Sequence, residues 1–259
     1  VDKVKFLKEM NFYYLPQSWA FNTTMHRSYT HMKMRYIGCS DAIQVAYPLL
    51  FLRGMLLKLY PENPNPRHIA TISECLHDGG IIIYPTDTIY GIGCDIYKPK
   101  SIEKVIQILG KDKKKSALSF IFYDLSHVSD FTTPINNTIF KAMKKTLPGP
   151  FTFILNANNQ VPKWFLSNKK TVGVRVPDNN IIREIVRVFG NPILSSSIRD
   201  DDEVLEYTTD PELIDEKYGD LVDIVIDGGY GDNIPSTVVD CTSGDLEIIR
   251  EGKGDITLL

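Results

Sequence analysis

Five segments of this 259-residue chain carry hydroxyl side chains or a single arginine beside an apolar run. Hydroxyls, backbone N–H groups and a guanidinium bind phosphate and carboxylate oxygens, and in open α/β sheets such groups meet ligands at strand ends. Each segment alone is also an ordinary turn or cap. Because five occur in one chain, we expect a site for an anionic ligand. The segments are YPTDT (84–88), VRVP (174–177), LSSS (194–197), PSTVV (235–239) and IIREG (248–252).

Four lysines, Lys111 and 113–115, follow a predicted helix that ends at Gly110. Lysines in this position complement the helix dipole, which stabilises a helix by about 0.3–1 kcal/mol per charge. One or two of them could instead contact a triphosphate or an RNA backbone, although lysines without interleaved aromatics are a weak nucleic-acid signal. Both interpretations stay open.

Several kinds of site have no motif in the sequence. It contains no GxxxxGK[ST] loop, no GxGxxG and no GxSxG. The four cysteines form no CxxC pair and the five histidines lack metal-ligand spacing, so we predict no protein metal site. Asp87 and Asp240 could touch a Mg²⁺ ion that is bound to a nucleotide, or could be ordinary turn carboxylates.

Alternating apolar patterns predict the elements that would position these residues. Helices are expected from Pro66 to the Gly79-Gly80 pair, around 102–109, around 135–145, over 181–189 and from Pro211 onward. Strands are expected at IIIY, ALSFIFY, FTFILNA, TVGVRVP, NPILSSS, VDIVIDGG, STVVDCT and LEIIREG. The last two strands form a predicted hairpin through Ser243-Gly244-Asp245. The order indicates one α/β domain, with a twisted mixed sheet over about 55–259.

The first 54 residues differ from the rest. They contain seven Lys or Arg against three acids, in a chain whose net charge is −3, and show no sustained helical or strand period. We expect an extension that is poorly structured or accessory; the alternative is a cap on the main body. No signal peptide or uninterrupted apolar span is visible, and together with the cysteine pattern this predicts a cytoplasmic protein that does not enter a membrane.

The ordered segments resemble the threonylcarbamoyl-AMP synthase (YrdC-like) family. The resemblance covers most of 62–254 and rests on GGIIIYPTDTIYGIGCD, LPGPFTFIL, VGVRVP, PSTVVD and IIREG. It implies a twisted α/β sheet around a large, positively charged concave cavity. It also implies synthesis of threonylcarbamoyl-adenylate from ATP, bicarbonate and L-threonine, with Mg²⁺ carried by ATP, for modification of adenosine 37 in tRNA.

The same resemblance implies roles for individual residues. The predicted threonine-binding residues are Thr88, Arg175, Ser197 and Ser236. The predicted nucleotide-binding residues are Lys111, Lys113, Thr171, Arg199 and Arg250. No covalent catalytic residue is expected, because the reaction needs mainly positioning and charge neutralisation. Since Arg175 is expected at a cavity, Arg175→Ala should remove binding and leave the fold nearly intact.

Three departures from the family pattern resemble its YciO-like branch. The K-x-R motif is replaced by GKDKKK (110–115), and S-x-N by Ser197-Ile198-Arg199. ALSFIFY is apolar where the family has a threonine-binding histidine. Lys111, Lys113 and Arg199 could supply the missing contacts. Alternatively, the protein binds a nucleotide or double-stranded RNA with little chemistry, or adenylates another amino acid or carboxylate.

Overall fold

The computed structural model describes residues 54–110, 118–162, 170–198 and 206–259. The predicted N-terminal extension lies outside them, apart from Gly54, which is buried and donates to the Gly219 carbonyl at 2.5 Å. In the described ranges, ten strands form one mixed sheet in the order β1-β8-β2-β3-β7-β4-β6-β5-β9-β10. The strands are β1 Met55–Lys58, β2 Ile82–Tyr84, β3 Gly91–Asp95, β4 Ser119–Ile121, β5 Phe151–Asn156, β6 Thr171–Arg175, β7 Ile193–Ser197, β8 Ile224–Asp227, β9 Thr237–Asp240 and β10 Glu247–Arg250.

The sheet combines parallel and antiparallel pairs, which confirms the predicted mixed α/β fold. β8 pairs in parallel with both β1 and β2, and the β4–β6 and β5–β9 pairs are also parallel. The other neighbours are antiparallel, including the predicted β9–β10 hairpin. Gly244 in its turn has φ +97, a conformation that glycine adopts without strain.

The helix ranges are α1 Pro66–His77, α2 Pro99–Ile108, α3 Asn137–Thr146, α4 Asn180–Phe189, α5 Glu206–Thr209 and α6 Pro211–Tyr218. Two helices, α1 and α6, begin at Pro66 and Pro211, where the sequence predicts their starts, whereas the sequence does not predict the short helix α5. Asn65 accepts a hydrogen bond from the Arg67 N–H at 3.0 Å, and Asp210 accepts one from the Glu212 N–H at 2.9 Å. These caps satisfy donors that the first turn leaves free. None of the helices within the described ranges is long and apolar enough to cross a bilayer.

Two apolar clusters lie on opposite faces of the sheet. Helices α1 and α4 pack on one face, where their buried isoleucines meet Ile82, Ile193 and Ile224. On the other face, Ile83, Phe120 and side chains from β5, β6 and β9 form a larger cluster. Adjacent strand residues point to opposite faces, so the full burial of both Ile82 and Ile83 confirms that this strand is covered on both sides.

The sequence does not predict β1 and β3. β3 contains Gly91 and Gly93, and glycine is depleted in strands. Here the glycines are required because the Tyr84 ring lies across them. A Cβ atom at Gly91 would be 2.9 Å from Tyr84 Cε2, and one at Gly93 would be 3.1 Å from Cε1. The ring crosses β3 in this way, and its hydroxyl donates to Ser195 Oγ on β7 at 2.6 Å.

The sheet is strongly curved. β2 and β10 occupy the third and tenth positions, and seven strand steps would separate them by about 34 Å in a flat sheet. Lys253, which follows β10, nevertheless donates from Nζ to the carbonyl of Asp87, which follows β2, at 2.7 Å. This contact requires the sheet to roll until its distant strands approach one another, which agrees with the concave shape that was predicted.

Candidate functional site

Sheet register places five of the predicted site residues on one face. Ser119 of β4 pairs with Ser195 of β7 and with Gly173 of β6, and Gly173 also pairs with Ile154 of β5. Directly paired residues share a face, and so do residues two apart in a strand. The same face therefore carries Thr171, Arg175, Ser197, Ser236 and Arg250. We call it the hydroxyl face.

The segment after β2 folds so that Asp87 and Thr88 contact the Arg175 guanidinium. Arg175 Nη2 donates to Asp87 Oδ1 at 3.1 Å and to Thr88 Oγ1 at 3.0 Å. The Thr86 hydroxyl shapes the turn, since it accepts from the Thr88 N–H at 3.0 Å and donates to the Ile89 carbonyl at 2.8 Å. Asp87 Oδ2 also accepts from the Asp178 N–H at 3.1 Å. The structure thus brings the predicted residues Thr88 and Arg175 together.

Arg175 is a buried cation, and one of its donors has no acceptor among the described residues. The residue is 5 % exposed, and this burial lowers the pKa of its guanidinium, while the Asp87 carboxylate opposes that change. Arginine keeps its proton even so. Within the described residues, Arg175 Nε is buried without a hydrogen-bond acceptor. An anionic oxygen that reached Nε would satisfy this donor, which otherwise carries a desolvation cost.

A second cluster joins Ser236 and Arg250. Arg250 donates to the Ser236 carbonyl from Nε at 3.2 Å and from Nη2 at 2.7 Å. The Ser236 hydroxyl lies 2.8 Å from Thr152 Oγ1. Ser236 is buried, at 5 % exposed, whereas the Arg250 side chain is only partly buried. The two bonds to the Ser236 carbonyl therefore fix the orientation of a guanidinium that a ligand can still reach.

The two clusters lie at the same level of the sheet. Arg250 pairs with Val238, Val238 pairs with Thr152, and Arg175 lies one residue beyond the Phe153–Val174 pair. The two arginines are therefore three strands apart, about 14 Å before curvature is considered. The site has two cationic positions, each fixed by hydroxyl and carbonyl oxygens.

Thr171 and Ser197 lie at strand ends of the hydroxyl face. Thr171 begins the strand that Arg175 ends, which separates their Cα atoms by about 13 Å. Ser197 pairs with Gly91 and is partly exposed. Within the described residues, neither side chain forms a hydrogen bond with Arg175 or Arg250. Their predicted ligand contacts stay predictions.

Other predicted contacts fall outside the described residues. Lys111, Lys113 and Arg199 belong to 111–117 and 199–205, so their roles also stay predictions. In β4, Ile121 is fully buried in the cluster beneath α4. The apolar strand in place of a histidine thus contributes to the core.

The sequence analysis missed a loop and a lysine beside Asp87. An open pocket of about 540 Å³ is bounded by Thr86, Asp87, Thr209, Tyr230, Gly231, Asp232, Asn233 and Lys253. Segment 228–235 reads GGYGDNIP, which is ordinary turn composition. No sequence signal placed it against the segment after β2. Among the described residues, no group of three or more His, Cys, Asp or Glu side chains could hold a metal ion.

Known proteins share both the sequence pattern and the fold. YciO of Escherichia coli K12 is 36% identical over 200 residues, covering 76% of this chain and 95% of YciO. The crystal structure of E. coli YciO matches with a TM-score of 0.73 at 34% identity, over 79% of this chain and 98% of that one.

Two further relatives carry functional names. Threonylcarbamoyl-AMP synthase of Coxiella burnetii is 27% identical over 174 residues, covering 67% of this chain and 92% of the synthase. P. abyssi Sua5, whose crystal structure is complexed with L-threonine, matches with a TM-score of 0.68 at 20% identity. That match covers 76% of this chain and 57% of Sua5, and it bears on the fold alone.

The family model Sua5_yciO_yrdC, described as "Telomere recombination", matches residues 74–252. This range contains β2 to β10 and both arginine clusters. The chain therefore belongs to the Sua5/YciO/YrdC family.

Proposed function

We propose that this protein forms L-threonylcarbamoyl-adenylate from ATP, bicarbonate and L-threonine, for the t6A modification of tRNA adenosine 37. The observation that carries the proposal is the Arg175 guanidinium, which is oriented by Thr88 and Asp87 and whose buried Nε has no acceptor in the part of the chain that the structure describes. A guanidinium with a free donor suits a carboxylate. The name of the C. burnetii relative and the L-threonine complex of P. abyssi Sua5 support threonine as the source of that carboxylate.

The two arginine clusters would divide the ligand between them. The threonine carboxylate would bind at Arg175 and Thr88, with Ser197 and Ser236 lining the same pocket. The ATP phosphates would lie toward Arg250, with Thr171, Lys111, Lys113 and Arg199 as further contacts and Mg²⁺ entering on the nucleotide. Because hydroxyl, carboxylate and carbonyl oxygens hold both arginines in place, the protein's part would be positioning and charge neutralisation.

The proposed reaction needs no covalent protein intermediate. Threonine nitrogen and bicarbonate give a carbamate with loss of water. A carbamate oxygen then attacks the α-phosphorus of ATP, a new O–P bond forms, and the bond to the β-phosphate oxygen breaks to release pyrophosphate. The protein residues would neutralise the charge that gathers on the phosphate oxygens.

A labelled-carbonate incubation tests this function. Pure protein is mixed with ATP, Mg²⁺, L-threonine and labelled bicarbonate, and the adenylate is separated by chromatography. We expect a threonine-dependent product, its loss in Arg175→Gln at a temperature where that variant is folded, and its retention in the surface control Arg187→Gln. No product from a folded wild-type protein, while the C. burnetii synthase is active in the same buffer, would overturn the proposal. If a product formed only with another amino acid, the proposed adenylation would stand, but threonine would not be the substrate.

A second candidate is a nucleotide- or double-stranded-RNA-binding protein with weak or altered adenylation. It is retained because the relative that is named as a synthase, from C. burnetii, is less similar to this chain, at 27% identity, than YciO is, at 36%. If the protein binds RNA through phosphates, the logarithm of its affinity falls linearly with the logarithm of salt concentration. A nearly salt-independent Kd for double-stranded RNA would exclude the RNA version of this candidate.

A further inference from the structure

A lysine outside the predicted site contacts the segment that holds Arg175. Lys253 Nζ donates to the Asp87 carbonyl at 2.7 Å and lies 2.8 Å from Asp232 Oδ2. The Asp232 N–H donates to the neighbouring Thr88 carbonyl at 3.2 Å. Two consecutive carbonyls, those of Asp87 and Thr88, are therefore held by Lys253 and by its ion-pair partner.

The backbone that presents Lys253 is closely seated. The Lys253 N–H donates to the Pro235 carbonyl at 2.8 Å, and the Gly252 N–H donates to Thr237 Oγ1 at 3.0 Å. A side chain at Gly252 would overlap the Pro235 carbonyl, and a Cβ at Gly254 would lie 2.6 Å from the Phe151 ring. Residues 252–254 are therefore closely packed, and the lysine extends toward Asp87 from a restrained backbone.

The charged groups around Lys253 favour its ion pair with Asp232. The hydrogen bond from Lys253 is the main cause of the lowered pKa of the Asp232 carboxyl, followed by the bond from the Ile234 N–H. The Asp87 carboxylate faces the other way, toward Arg175 and the Asp178 N–H. The side chains of Lys253 and Asp232 are 41% and 28% exposed, so this pair contributes little to global stability.

We propose that Lys253 is a positioning residue that clasps the Asp87-Thr88 peptide and thereby holds the Arg175 guanidinium in its ligand-binding orientation. The inference rests on the proposed function for its kinetic consequences. Within the described residues, the Lys253 side chain bonds to the Asp87 carbonyl and to Asp232 and not to Arg175, so its effect on the guanidinium is indirect. Removal of the clasp leaves the strands in place and loosens the segment that orients the guanidinium.

Amide hydrogen exchange of residues 86–90 tests the clasp without any ligand. In Lys253→Met, which keeps the length of the side chain and removes its donor, we expect exchange in this segment to accelerate about tenfold, as the loss of one hydrogen bond from a charged group implies. The thermal midpoint should fall by no more than about 3 °C. Lys104→Met, at an exposed lysine of α2, is the matched control.

Kinetics then separate positioning from simple destabilisation. Lys253→Met should raise KM for L-threonine about tenfold with a smaller change in kcat, Lys253→Arg should restore most of the affinity, and Asp232→Asn should be intermediate. Exchange and KM that match the Lys104→Met control would overturn the clasp. If wild-type protein makes no adenylate, the proposed function fails, and the exchange comparison alone decides the clasp.

Discussion

Arg175 and Asp87 form a buried ion pair between residues that are 88 positions apart in the chain. Their side chains are 6% and 8% exposed, and Arg175 Nη2 lies 3.1 Å from Asp87 Oδ1. Two charges in such a place gain little net stability over an apolar pair, but removal of one partner leaves the other uncompensated. The pair therefore links the ligand-binding arginine to the integrity of the fold.

Arg175→Ala is accordingly expected to destabilise the protein. A residue at an open cavity could be truncated at little cost, but burial beside Asp87 changes that expectation. We expect the free energy of unfolding to fall by about 3–5 kcal/mol, measured by urea denaturation. Arg175→Gln with Asp87→Asn should cost less than the sum of the single changes, since no charge is left alone. A loss below about 0.5 kcal/mol in Arg175→Ala would contradict the buried pair.

Because the Tyr84 and Ser195 hydroxyls are hydrogen-bonded to each other, we expect the effects of their replacement on the free energy of unfolding to be non-additive. Both residues are at most 2 % exposed, and their oxygens are 2.6 Å apart. Ser195→Ala leaves the phenol without its partner, so we expect a loss of about 1–3 kcal/mol. Adding Tyr84→Phe should recover part of that loss. A double-mutant cycle from urea denaturation measures the coupling, and additive single effects would contradict it.

Alkaline pH should unfold the protein through buried acids. Burial is the first cause of the raised pKa of Tyr84, which the Ser195 hydrogen bond partly opposes, and burial also raises the pKa of the Cys94 thiol. A raised pKa means that the folded protein holds the proton more tightly than the unfolded chain does. The stability that these two groups contribute is therefore complete below the pKa values of the unfolded chain, about 8.5 for Cys and 10 for Tyr. It is lost as the pH rises from these values toward the higher pKa values of the folded protein. Urea midpoints from pH 7 to 11 should fall, less steeply in Tyr84→Phe. A flat profile would refute the assignment.

Glycine at 93 is required by a close contact and not by backbone conformation. An added methyl would overlap the Leu194 carbonyl of β7 and approach the Tyr84 ring at 3.1 Å. We expect Gly93→Ala to cost at least about 2 kcal/mol. Gly190→Ala is a useful comparison, because this glycine has φ +79 but open space around it and should cost about 1–2 kcal/mol. Equal stability of wild type and Gly93→Ala, from thermal unfolding, would exclude the tyrosine-over-glycine packing.

Replacement of Arg250 is expected to weaken nucleotide binding, whereas replacement of Arg187 is not. Its guanidinium is anchored on the Ser236 carbonyl at the edge of the hydroxyl face. Arg250→Gln should weaken ATP binding by about 1.5–3 kcal/mol, the value of a hydrogen bond to a charged group, as measured by calorimetry. Arg187→Gln, at an exposed helical arginine paired with Glu184, is the control. Equal ATP affinity in both variants would remove Arg250 from the nucleotide site.

Local sequence determined most of the elements and their ends. Asn65-Pro66 and Asp210-Pro211 predict the starts of α1 and α6, since a cap and a proline act within one turn. The apolar spacing of α4 and the continuous run in β2 likewise report burial, because periodicity reflects which face meets the core. The motif set also identified the family and paired Thr88 with Arg175 as site residues.

Only the tertiary structure decided how these parts meet. β3 is a strand because Tyr84 from another strand lies over Gly91 and Gly93, which no local propensity reports. The burial of Arg175 beside Asp87 depends on how the segment after β2 folds onto the sheet, and the contact of Lys253 with Asp87 depends on the curvature summed over seven strand steps. The sequence names the residues that can bind an anion, but long-range packing sets which of them stand together, because strand order and curvature are properties of the whole sheet.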